Sequence, residues 1–106
     1  MAATEVTEGK LVRDLIPEII RKSGRHPEVR YLSGTELVGA LVAKLCEEAR
    51  EVGEAFKDRE CLVQELADLT EVISAPMSVG GVGQQEVFDV VEAKAALRGR
   101  FTTIPG

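Results

Sequence analysis

The chain has no tryptophan, one tyrosine and one histidine. With so few aromatic side chains for bases to stack on, no platform for single-stranded nucleic acid is expected. Positive charge is also short. The 106 residues carry a formal net charge of −5 at neutral pH, which argues against general affinity for a nucleic-acid backbone. A phosphate-bearing small molecule stays admissible, because a bound divalent cation inverts the local field. The two cysteines, Cys46 and Cys61, form no CxxC pair; Cys46 is expected to be a small packing residue, and Cys61 the same or partly exposed. His26 precedes Pro27 in a polar stretch and reads as a surface-loop residue. It is a poor base for any candidate serine, so no Ser-His-Asp chemistry is expected. No apolar run is long enough to span a bilayer. The opening MAATEVTEGK lacks a basic start followed by an apolar run, so no signal peptide is expected. These absences predict one globular domain in the cytoplasm, with reduced thiols.

What is present is helical. Residues 1–9 read as a flexible leader, 10–101 as a single helical domain and 102–106 as a tail. In KLVRDLIPEIIRKSG, Asp14 is a fair N-cap, Pro17 suits a first turn and Gly24 a stop, predicting a helix over 15–23. RHPEVRYL favours an extended segment. SGTE at 33–36 matches a capping box, and a helix behind it runs to about residue 56. Its apolar residues at 38, 41, 42, 45, 49, 52 and 56 recur at helical spacing. A second long helix is predicted over 59–75, with Leu62, Leu66, Leu69 and Ile73 inward and Pro76 ending it. MSVGGVG reads as a Gly-rich turn; with no GK[ST] after it and no strand before it, it is not a phosphate loop. A last helix covers 84–98 and stops at Gly99. The expected class is all-α: a helical hairpin whose four-helix core is completed by a second chain, as a homodimer or homotetramer.

The first long helix crowds its acids. With Leu45 at zero and about 100° per residue, Glu48 falls near 300°, Glu51 near 240° and Glu47 near 200°. On the second helix, with Leu62 at zero, Glu65 falls near 300° and Asp68 near 240°. Both helices thus carry two acids, one turn apart, on the same shoulder of an apolar stripe. Packed as an antiparallel hairpin, the four carboxylates can converge, and a hard cation such as Mg²⁺ resolves their repulsion. Acids at this spacing also occur on solvated faces, so geometry alone leaves both readings open. Lys44, one turn before Glu48, reads as a local charge partner.

Glu47-Glu48-x-x-Glu51 followed by Glu65-x-x-Asp68 resembles the EExxE…ExxD signature of the MazG-like all-α nucleoside triphosphate pyrophosphohydrolases. KLVRDLIPEII at 10–20 and Lys94-Ala-Ala-Leu-Arg-Gly-Arg-Phe101 are similar to the two ends of its phosphoribosyl-ATP pyrophosphohydrolase-like branch. The similarity is colinear over about residues 10–101. It departs from the branch at Leu15, where a basic residue is common, and at Arg100, which replaces a glycine.

The resemblance implies cleavage of a nucleoside triphosphate, or a related nucleotide, between the α and β phosphates, with Mg²⁺ or Mn²⁺. It implies metal ligation by Glu48, Glu51, Glu65 and Asp68, and a role for Glu47, with Glu48, in catalysis. Such chemistry also needs cations on the phosphates. The candidates are Lys10 and Arg13 near one end, and Lys94, Arg98 and Arg100 near the other. The alternative is a non-catalytic nucleotide-binding or regulatory protein on the same scaffold.

Overall fold

The computed structural model describes the backbone of residues 4–7 and 9–102, with side chains from Gly9 onward. Four helices carry the architecture: α1 (Ile16–Lys22), α2 (Gly34–Glu54), α3 (Arg59–Gly80) and α4 (Gln84–Arg98). The expected all-α class holds. A small three-stranded antiparallel sheet is added to it, from β1 (Thr4–Thr7), β2 (Lys10–Leu11) and β3 (Arg30–Leu32), in the order β2-β1-β3. Val6 pairs with Leu11 on one side and with Arg30 on the other. Gly9, at φ +79°, supplies the left-handed turn that returns the chain from β1 to β2.

The sheet corrects the leader expected over residues 1–9: its residues 4–7 are the central strand. Residues 1–3 and 8, and residues 103–106 of the expected tail, lie outside the described residues. Two helix starts also differ. Leu15, not Asp14, is the N-cap of α1, with no side-chain cap bond. The Ile16 N–H donates to the Arg13 carbonyl at 3.0 Å, so Asp14 sits inside a turn ahead of the helix. Ser33 does occupy the N-cap of α2 but makes no side-chain cap bond. Glu36, its expected capping-box partner, accepts instead from Arg30 at 2.9 Å. The strongest cap is at α3, where Asp58 accepts from the N–H groups of Glu60 and Cys61.

Pro76 does not end α3; the helix runs through it to Gly80. An interior proline costs about 3 kcal/mol. Ala75 and Val79, on either side of it, pack against a cluster of Leu11, Leu32, Leu37 and Leu41, which offsets that cost. The helix then closes at left-handed Gly81, with the Val82 N–H reaching back to the Met77 carbonyl at 2.8 Å. So only the end of MSVGGVG is a turn.

The core is this junction of β2, β3 and α2 with the end of α3. Along α2 the buried line is Leu37, Leu41, Glu48 and, just past the helix end, Ala55. It lies roughly 60° around the helix from the stripe centred on Leu45. The other half of the apolar pattern, Val38, Val42 and Phe56, is exposed. Leu66 and Ile73 on α3, expected inward, are 44 % and 41 % exposed, because α3 is covered by α2 on one side only. Cys46 is an exposed free thiol rather than a packing residue, and Cys61 is exposed as well. α4 has no buried residue and no extensive interface with any other element. A compact chain of this size has a radius of gyration near 13 Å; this one has 16.8 Å.

Candidate metal centre

Residues 55–58 join α2 and α3 by a short connection, so the two helices run antiparallel as neighbours. This brings acids far apart in sequence to one place. Glu48, Glu65 and Asp68 each offer a carboxylate oxygen, and the three oxygens lie within 4.8 Å of one another. Glu48 is 5 % exposed and is the buried charged residue of the described chain. Its Oε2, and the Oε2 of Glu65, are buried with no hydrogen-bond partner. Leaving such groups unmet costs about 1–3 kcal/mol, and more when they are charged. An all-oxygen, acid-only donor set of this kind suits a hard divalent cation.

The proton affinity of Glu48 reflects the crowding. Burial pushes its carboxyl up from the ordinary range. The charges of Glu51 and Asp68 add to that, and Lys44 works against it. Burial also opposes the charge on Lys44, but Glu47 and Glu48 together outweigh it and hold the ammonium on.

The expected residues are placed unevenly. Glu51 is half-buried on α2; its charge is felt at Glu48, yet it stands outside the close group of three. Glu47 faces two cations: Lys10 Nζ lies 3.7 Å from its Oε1 and Lys44 Nζ 3.4 Å from its Oε2. Lys44 Nζ also lies 3.4 Å from Glu48 Oε1. Arg13 donates to Asp68 Oδ1 at 2.9 Å. So the N-terminal cations do reach the acids. The C-terminal ones do not within this chain. Arg100 pairs with Glu92 at 2.7 Å, and Lys94 and Arg98 form no ion pair among the described residues. Lys44 is the local charge partner expected of it, to Glu47 as well as Glu48. The signal was its spacing, four before Glu48 and three before Glu47.

A family model for phosphoribosyl-ATP pyrophosphohydrolase matches residues 12–95. The chain belongs to that family. The match takes in all five acids of the signature, Arg13 and Lys94, and leaves Lys10, Arg98 and Arg100 outside it. An uncharacterised protein of Mycolicibacterium smegmatis is 58 % identical over 43 residues, which is 41 % of this chain and 44 % of that protein. The shared stretch is therefore less than half of either chain. No solved structure matches. For this member of the phosphoribosyl-ATP pyrophosphohydrolase family, the partnerless oxygens of Glu48 and Glu65 beside Asp68 fit the donor chemistry of Mg²⁺.

Proposed function

We propose that the protein is a Mg²⁺-dependent pyrophosphohydrolase. It would cleave a nucleoside triphosphate, or a related nucleotide, between the α and β phosphates, giving a monophosphate and pyrophosphate. The observation that carries this reading is the pair of buried, partnerless carboxylate oxygens on Glu48 and Glu65, closed by Asp68. Membership of the family supports the reaction type.

Glu48, Glu65 and Asp68 would hold the metal, with Glu51 completing the acidic wall. Mg²⁺ bound there supplies charge neutralisation for phosphate oxygens. The chain's own residues do the rest. Glu47, held between Lys10 and Lys44, would orient a water or take its proton. Arg13 and Lys10 sit beside the acids on exposed side chains, where they can turn to an incoming phosphate chain. Lys94, Arg98 and Arg100 remain phosphate candidates only in an assembly that carries α4 to an acid cluster.

The same proposal includes a second copy of the chain. Phe56 and Leu97 are 71 % and 85 % exposed, and a homodimer or homotetramer would cover such side chains. No helix among the described residues is long and apolar enough to cross a membrane; with the free thiols, we place the protein in the cytoplasm.

The test is a panel of nucleoside triphosphates with Mg²⁺, followed by chromatography of the products. Equimolar monophosphate and pyrophosphate is the expected result. Release of inorganic phosphate alone, or binding without turnover, overturns the assignment. Sedimentation of a compact monomer would remove the second copy.

A further inference from the structure

Lys44 is one turn from the acids and only 25 % of its side chain is exposed. It closes a line of four alternating charges: Lys10 on β2, then Glu47, Lys44 and Glu48 on α2. Each link is short, 3.7 Å, 3.4 Å and 3.4 Å in turn. The last link has a consequence for one atom. Lys44 engages Glu48 at Oε1, while Glu48 Oε2 is buried and has no partner. A carboxylate tied at one oxygen cannot spin freely about its last torsion, and its other oxygen stays open. Glu48 is the buried member of the acid group, so its orientation has the least help from solvent.

We propose that Lys44 is a positioning residue for the metal centre: by fixing Glu48 Oε1 it presents Oε2 to the cation beside Glu65 and Asp68. The inference rests on the metal reading given above. Glu47 and Lys10 extend the device, because they tie Lys44 to the edge of the sheet and so fix the helix face against β2. Outer-shell groups of this kind orient metal ligands without touching the metal.

Electrostatics supplies a test by sign. A lysine beside a cation site repels the incoming cation, so charge alone predicts tighter binding when it is removed. Positioning predicts the reverse. The probe is Mn²⁺ binding to the full chain, followed by the electron paramagnetic resonance signal of the free ion, with melting curves recorded for every variant. Lys44→Met should weaken Mn²⁺ binding by about ten- to a hundredfold. Lys44→Arg, which keeps a donor for Glu48, should recover most of that loss, to within about threefold of the wild type. Should Lys44→Met fail to fold, Lys44→Ala, with the best helix former, is measured instead; charge alone again predicts tighter binding and positioning predicts weaker binding. Equal or tighter binding by the folded variant overturns the proposal. Wild-type protein that takes up no Mn²⁺ overturns the metal reading itself, a result distinct from an unchanged Lys44→Met.

Discussion

α2 and α4 are both charge-rich helices, yet they hold their charges in different ways. α2 buries Leu37, Leu41 and Glu48 and packs against α3 and β2. α4 buries nothing. On the packed helix Glu48 is buried beside Glu65 and Asp68 of α3, and that burial, with the charges of Glu51 and Asp68, raises its proton affinity. On the unpacked helix, among the described residues, Glu92 meets Arg100, eight residues on. Charge carries chemistry where apolar packing fixes it. The same residue type on a bare helix is available to water and to whatever covers that helix.

The comparison can be broken with matched substitutions. Leu41→Ala, in the four-leucine cluster, should cost about 2–5 kcal/mol by urea denaturation. Leu97→Ala, on α4, should stay within about 0.5 kcal/mol in the separated chain. Equal costs would mean that α4 is packed after all. Next, Glu65→Gln should lower pyrophosphate release by roughly a hundred- to a thousandfold, the loss of several kcal/mol of charge stabilisation. Glu92→Gln should leave the rate within about twofold. Arg13→Ala should reduce kcat/KM by about ten- to a hundredfold, as expected for a charged hydrogen bond. Arg98→Ala should do so only in an oligomer that brings α4 to an acid cluster, so its effect should vanish in a monomeric variant.

The smallest effect is one of pH. The folded metal-free protein holds the proton of Glu48 more tightly than the unfolded chain does, chiefly because the carboxyl is buried. The stabilisation from that proton is full below the ordinary glutamate range. It is lost as pH rises through that range to the raised folded value, so the unloaded wild type should lose stability relative to Glu48→Gln across this window. Added Mg²⁺ should raise the melting temperature of the wild type at neutral pH. If the stability difference between wild type and Glu48→Gln moves in favour of the wild type as pH rises across the window, the burial of that carboxyl is contradicted.

Much of the helical layout was legible because local signals decide it. Pro17 and Gly99 marked a helix start and a helix end that the structure keeps. The meeting of Glu48, Glu65 and Asp68 was readable from spacing, since a hairpin of two helices has few ways to pair its faces. Other features depend on contacts distant in sequence. The strand at Thr4–Thr7 exists through pairing with residues up to Leu32, which no local pattern announces. Pro76 looked like a stop because the packing of Ala75 and Val79 was invisible. The apolar pattern of α2 contains two stripes, and periodicity cannot say which one the chain covers itself. The stripe with Leu41 went inward; the one with Val42 and Phe56 did not. That rotation moved Glu48 from the shoulder into the covered line, and left Glu51 outside the close group.

The sheet has a practical side. Its central strand is its earliest in sequence, so β2 and β3 touch each other only through β1. Lys10, on β2, is the anchor of the charge line that ends at Glu48. Trimming residues 4–7, or crowding them with a bulky fusion, would loosen both neighbouring strands at once. A change at the front of the chain, far from any acid in sequence, would then be felt in the handling of metal.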